Sequence, residues 1–366
     1  MSATSTAAKK DLAARAASGA GGAGGAGAAR PTGAGGRRGA LSRVLDPRFL
    51  PVGSTVLTLV LMLVIGQVRY SGSRSFVSMK LFSNLFVDNS FILVLAVGMT
   101  AVILTGGIDL SVGAVVAVVG LVIARLVPTG VPLPLILLLA VLIGTGGGVL
   151  IGLLVRYFSF QPFIASLAVM FLMRGVANLI SAQSLAIDSD GFSALASWAV
   201  KFGQGRESWK LTLPMLVAFA VVLVGFYLLH YTRFGRTVYG IGAGDDGHAA
   251  SLMGLAVGRT TVLVYAFSGT CAGIAGVLFA MYTKSGYNLT GVGMELDAIA
   301  PVAIGGTLLT GGRGYVWGSV VGVMVYGLLQ VLIAREGLDS WWTKVFIGVF
   351  LLVFVLLQRS LSRRSA

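Results

Sequence analysis

The sequence predicts an all-α integral membrane protein of about ten transmembrane helices, on three observations. Hydrophobic residues fill 56% of the 366 positions and charged residues only 11%. Mean hydropathy is +0.91. Apolar runs follow one another from residue 52 to residue 358. A soluble domain carries roughly a quarter charged residues. About 20 residues rising ~1.5 Å each cross the ~30 Å hydrocarbon core of a bilayer. Composition and run length together therefore read as spans rather than soluble domains.

Residues 1–46 come first, built of Ala, Gly, Ser, Thr and Arg with almost no large apolar side chain. Such a segment buries too little surface to offset its ordering entropy, so a disordered basic cytoplasmic tail is expected. It lacks the apolar stretch and cleavage site of a signal peptide. Residues 47–360 are expected to form the membrane domain. Its helices fall near 52–69, 89–105, 111–127, 133–155, 162–180, 211–230, 260–281, 295–309, 315–334 and 341–358. Residues 361–366 form a short basic C-terminal tail.

Charge sets the expected orientation. Residues 1–50 hold eight basic side chains against two acidic ones, and Arg359, Arg363 and Arg364 follow the last run. Basic residues beside spans are retained on the cytoplasmic side, so both termini are expected there. This distribution accounts for the net charge of +14 without nucleic acid. The tail can also attract anionic membrane lipid.

Two loops stand out. Residues 181–210 form the longest external segment, with Trp198 and Trp209 at the interface. Residues 231–259 form the longest internal loop between helices. It carries Gly-Ala-Gly-Asp-Asp-Gly at 242–247, then a short helix from His248 to Met253 closed by Gly254. Asp245 or Asp246 is the expected cap of that helix, and Gly254 its C-terminal stop.

Glycine patterning adds two expectations. Gly144, Gly148 and Gly152 lie four apart, as do Gly269 and Gly273, and Gly318 and Gly322. Small residues at this spacing let membrane helices approach closely. A short repeat also occurs: Thr105-Gly106-Gly107 followed by Gly113, and Thr310-Gly311-Gly312 followed by Gly318. Paired glycine interruptions in two halves of a transporter mark a substrate path; as tight turns in a glycine-rich chain they need no such role.

The chemistry that is missing is informative. None of the lysines follows a glycine, so no phosphate-cradling Gly-Lys-Ser/Thr loop exists and the chain has no ATPase of that kind. His230 and His248 are far apart, and Cys271 sits alone in an apolar run. No metal or other cofactor is expected. The charges within or beside spans are Asp109, Arg174, Glu295 and Asp297. Such groups face polar cavities or partners. Asp109 also suits the cap of a helix starting near Ser111, and Glu295 and Asp297 suit the first turn of theirs.

The segment Val97-Gly98-Met99-Thr100 through Leu104-Thr105-Gly106-Gly107-Ile108-Asp109-Leu110-Ser111-Val112-Gly113 resembles the signature of the permeases of ribose- and galactose-type ABC sugar importers. Phe267-Ser268-Gly269, Ala272-Gly273-Ile274-Ala275-Gly276, Glu295-Leu296-Asp297-Ala298-Ile299-Ala300 and Ile304-Gly305-Gly306-Thr307 resemble later motifs of the same family, in the same order. The ending from Ser340-Trp341-Trp342-Thr343-Lys344 to Leu357-Gln358-Arg359 is similar to a permease of the galactofuranose importer.

The resemblance implies a type II ABC importer-like permease fold and a transport subunit rather than an enzyme. It also implies a periplasmic-type sugar-binding protein, a tandem-domain ABC ATPase and a second permease of different sequence. The expected substrate path includes Gly106, Gly107, Asp109, Glu295 and Asp297. The ATPase contact of the family aligns with Asp245, Asp246, Ala249, Ala250, Met253 and Gly254. Here Asp replaces an Asn, Met a Ser and Leu255 an Ile of the family pattern, and Pro301 replaces an alanine in the eighth run. Two other classes compete. A proton-coupled sugar transporter would use Asp109 and Glu295 as a relay, and a membrane-bound transferase would need clustered carboxylates or a metal.

Overall fold

The computed structural model describes residues 50–364 apart from 71, 73, 74, 206, 207, 245, 246 and 340. The expectations for residues 1–46 and for Asp245 and Asp246 lie outside the described residues.

All ten apolar runs are helical. In chain order the helices are α1 (Leu50–Tyr70), α2 (Met79–Asp88), α3 (Ser90–Leu104), α4 (Val112–Leu126), α5 (Leu133–Tyr157), α6 (Pro162–Ile180), α7 (Asp190–Ser197), α8 (Leu213–Tyr231), α9 (Arg233–Gly242), α10 (His248–Leu252), α11 (Val257–Thr283), α12 (Met294–Ile304), α13 (Val316–Arg335) and α14 (Trp341–Arg364). Helix is the form in which an apolar segment satisfies its own backbone in lipid. Local signals set the starts. Ser78, Ser189, Thr212 and Thr232 each accept a backbone N–H as the N-cap of α2, α7, α8 and α9. Pro occupies the first turn of α5, α6 and α8, where its missing N–H costs nothing.

Among the described residues seven helices are long and apolar enough to span alone, and α2 with α3, bent by 64°, makes an eighth if the pair counts as one span. The eighth run departs most from its expected length of 295–309. Helix α12 has only 11 residues, about 16 Å at 1.5 Å per residue. It stops at Gly305 and Gly306, the latter in the left-handed region at φ +91°. Pro301 lies inside it. The basic tail expected at 361–366 instead continues α14 as far as Arg364.

Helix α11, 27 residues long, is the central post; α3, α4 and α5 pack on it. The glycines four apart turn out to face one another. A Cβ on Gly148 would run into the Tyr265 carbonyl, and one on Gly269 into that of Gly144. Thr145 and Thr270 share a hydroxyl bond of 2.9 Å across this seam. Gly318 and Gly322 meet Gly305 and Pro301 in the same manner, joining α13 to α12. Lipid supplies no hydrophobic drive between helices, so the close approach itself is the attraction.

The loop at 181–210 is ordered. A two-residue strand β1 (Leu185–Ala186) pairs with β4 (Ser285–Gly286), and β2 (Ala199–Phe202) pairs with β3 (Trp209–Thr212). Phe202 stacks on Trp209 at 4.4 Å. The hairpin is fastened to α2, because Lys210 O accepts the Ser83 hydroxyl at 2.6 Å. Helix α8 separates this end of the bundle from the end that carries residues 231–259.

Candidate functional site

The two Thr-Gly-Gly copies interrupt equivalent places, between α3 and α4 and between α12 and α13, and they touch. The Gly312 N–H donates to Leu104 O at 2.9 Å. A Cβ on Gly311 would lie 2.8 Å from Gly106 N. Gly106, Gly311 and Gly312 have φ of +79°, +88° and +74°, a region an L side chain adopts only at a cost.

Asp109 lies just beyond the first break with 0% exposure. One carboxylate oxygen accepts the Ser111 N–H at 2.9 Å and the Ser111 hydroxyl at 2.7 Å. The other accepts the Ser268 hydroxyl of α11 at 2.8 Å. Asp109 therefore closes a local turn onto Ser111 and ties that turn to the central post, whereas α4 starts after Ser111 without the side-chain cap expected of Asp109. The Tyr265 hydroxyl is enclosed beside Gly107 without a hydrogen-bond partner.

The other two carboxylates point elsewhere. Glu295 lies near Gly113, where a Cβ would sit 2.9 Å from its Oε2, and interacts with Arg174. Arg174, the charge inside the fifth run, donates to the carbonyls of Asn288 and Thr290 at 2.9 and 2.6 Å. It clamps the chain that leads into α12. Asp297 instead opens on a cavity of about 400 Å³ between the α2–α3 bend, α11, α12 and α13. Tyr326 and Gln330, one helical turn apart on α13, line the same space. Tyr326 lies beside both Asp297 and Gln330. So Gly106, Gly107 and Asp109 form one place, Glu295 a second and Asp297 a third. Sequence reading missed Tyr326, Gln330 and Asn89; two polar groups four apart in an apolar run were the available signal.

The described part of the 231–259 loop is packed onto the two breaks. Thr232 caps α9, and the α9 residue Gly242 wedges between the two breaks. A Cβ there would strike Leu104 O and Gly312 N. The Tyr239 hydroxyl donates to Gly314 O at 2.7 Å. Burial, then the neighbouring Tyr315, push that phenol up to about 12, so it stays a donor. Helix α10 ends as expected, with Gly254 at φ +77° and Leu255 N donating to Ala250 O at 3.1 Å. Its N-cap position is Gly247, at φ +79°, with no side-chain cap.

Of the residues expected to meet an ATPase, Ala250 is 0% exposed and a Cβ on Gly240 would lie 3.6 Å from it. It seats α10 on α9. Ala249, Met253 and Gly254 are exposed. Leu252 and Met253, at 77% and 70%, are the large apolar groups displayed there. Leu252 was not singled out by sequence, since only the fold shows which side of α10 is free.

Residues 81–356 match the family described as branched-chain amino acid transport system / permease component. The chain is 43% identical to the inner membrane ABC transporter permease protein YjfF of Escherichia coli K12, over 86% of this chain and 93% of the relative. It is 41% identical to the fructose import permease protein FruG of Bifidobacterium longum, over 86% and 92%. It is 34% identical to the ribose import permease protein RbsC of E. coli K12, over 82% and 92%. No solved structure matches. With its broken spans, its glycine-lined seams and this breadth of similarity, the chain is a multi-pass transport subunit, not an enzyme, and belongs to the permease family that includes these import permeases.

Proposed function

We propose that this chain is the membrane-spanning permease of an ATP-driven monosaccharide importer in a bacterial plasma membrane, with both termini cytoplasmic. A separate tandem-domain ATPase supplies the work. A periplasmic-type binding protein delivers the sugar, and a second permease of different sequence completes the pore. Relatives named for fructose, ribose and galactose import support the substrate class. The resemblance of residues 340–359 points to galactofuranose within it.

One observation carries the coupling. Helix α10 displays Leu252 and Met253, and Ala250 fastens it to α9, whose Gly242 lies against both glycine breaks. A push on α10 by an ATPase is therefore delivered to the two places where the spans are interrupted. Such a lever shifts the pore only if the ATPase holds α10 differently in its two states. The family resemblance adds Asp245, Asp246, Ala249, Met253 and Gly254 as further ATPase contacts. A proton relay is less well supported, because Asp109 is enclosed by Ser111 and Ser268.

The test is purification of the whole complex with its binding protein, followed by a survey of sugars for stimulation of ATP turnover. A monosaccharide is expected to stimulate it. Accumulation of sugar by this chain alone in vesicles would sink the reading.

A further inference from the structure

We infer that the cavity beside Asp297 is a monosaccharide subsite of the permease itself, read by Asn89, Asp297, Tyr326 and Gln330. The inference rests on the importer reading above and adds a place and a set of recognising groups.

The cavity's volume, about 400 Å³, is in the range of small-molecule pockets, roughly 300–1,000 Å³. Its lining has two characters. Phe91, Phe279 and Tyr282 form an aromatic cluster with centroids 5.0 to 6.5 Å apart. Aliphatic side chains such as Leu85, Ile92 and Val331 extend that apolar part, and the polar part is amide, phenol and carboxylate. A pyranose or furanose has the complementary makeup: C–H faces that lie on rings, and hydroxyls that both donate and accept.

The polar groups are held in place before any ligand arrives. Tyr326 stands between Gln330 and Asp297 in the shared lining, and Lys344 adds its positive charge near Asp297. Asn89 stands at the α2–α3 bend. Its amide nitrogen donates to Leu85 O at 3.0 Å, so its carbonyl oxygen is left to accept. It fits there because α13 has Gly327 opposite, where a Cβ would lie 2.5 Å from the amide nitrogen. A second cleft of about 470 Å³ shares Asp297, Tyr326 and Gln330 and continues to Trp341. Together they form a path with aromatic steps along the end of the bundle opposite α10. Two carboxylates, Asp88 and Asp297, and two amide groups in one wall serve a ligand that carries several hydroxyls better than they serve lipid.

The experiment uses the complete transporter in liposomes, with initial import rates of tritiated D-galactose, D-ribose and D-fructose, each of which holds a furanose fraction in solution. Gln330→Leu and Tyr326→Phe are expected to raise the KM of import about tenfold each, the weight of one or two lost hydrogen bonds. They are also expected to change the ratio of rates between sugars, because the three present different hydroxyls. Tyr326→Phe keeps the ring and so guards against a folding artefact, and gel filtration reports the assembled complex. Wild-type KM and wild-type ratios in both variants overturn the subsite. So does a loss of rate that is equal for all sugars at unchanged KM. A wild-type complex whose ATP turnover no monosaccharide in the survey stimulates overturns the monosaccharide reading itself, and the subsite with it.

Discussion

The backbone N–H of Gly312 donates to the carbonyl oxygen of Leu104 at 2.9 Å, tying the break before α13 to the end of α3. Gly242 of α9 packs into that junction. Two interruptions far apart in sequence are one structural point, and the loop that carries α10 is attached to it.

Gly242→Ala tests the junction. Its Cβ would strike two backbone atoms that cannot swing away, and overpacking of this kind costs ~1–3 kcal/mol. Thermal unfolding of the purified complex is expected at lower temperature, with slower import. Gly146→Ala is the contrast. It sits on α5 with open space around it, and the better helix propensity of Ala contributes up to ~1 kcal/mol.

Leu252→Asp and Met253→Asp are expected to leave the permease fold within ~0.5 kcal/mol of wild type, since both side chains are exposed. Affinity for the ATPase, read by co-purification at graded ATPase concentrations, falls about tenfold or more. Ala250→Arg behaves differently. A buried alanine has no room for a guanidinium, so α10 leaves α9 and the permease itself loses more than ~2 kcal/mol.

Asp109→Asn places an amide N–H₂ where the carboxylate met three donors. At least one donor is then left unsatisfied in an enclosed site, at ~1–3 kcal/mol. Ser268→Ala removes only the bond to α11 and costs ~1 kcal/mol. Unfolding of both variants in one detergent gives the ordering directly. Equal stability of Asp109→Asn and wild type would refute the tie that Asp109 makes between Ser111 and Ser268.

Arg174→Lys keeps the charge but loses the planar fork that serves the Asn288 and Thr290 carbonyls together. Arg174→Ala leaves both unpaired at that end of α6. Hydrogen exchange at residues 287–293 is expected to rise modestly for Lys and strongly for Ala.

Glu336 accepts the Tyr70 hydroxyl at 2.5 Å and pairs with Arg69 at 3.3 Å. Chiefly the phenol, and then Arg69, hold its carboxyl below the usual carboxylate range. A native value below the unfolded one contributes stability above the unfolded value, about 4.3, and that contribution fades as pH falls through the native value. The group is exposed, so the effect is small. The gap in unfolding temperature between wild type and Glu336→Gln, scanned from neutral to acid, is expected to close on the acid side.

The apolar runs were legible because each helix answers a local demand: in hydrocarbon a segment must satisfy its own backbone. Gly254 was legible as a helix stop for the same kind of reason, since the left-handed turn is decided within a few residues. The length of α12 was not. Its run continues apolar to residue 309, yet it ends at Gly305 where α13 packs close. The direction each carboxylate faces was not legible either. Asp109, Glu295 and Asp297 all sit beside spans, and only the packing of α11, α4 and α13 around them gives them separate environments.

By itself the sequence determined that the chain lives in a membrane, where its long apolar helices run, which glycines permit close approach and that it has no nucleotide loop of its own; the short helices α2, α7 and α9 it did not mark. Tertiary structure decided which glycine faces which, that the two Thr-Gly-Gly turns meet under α9, and that Asn89, Asp297, Tyr326 and Gln330 share one cavity. Hydropathy and capping act over a few residues and leave their mark in order along the chain. Contacts between Leu104 and Gly312, or between Asn89 and Gly327, span more than two hundred residues and exist only once the helices have packed.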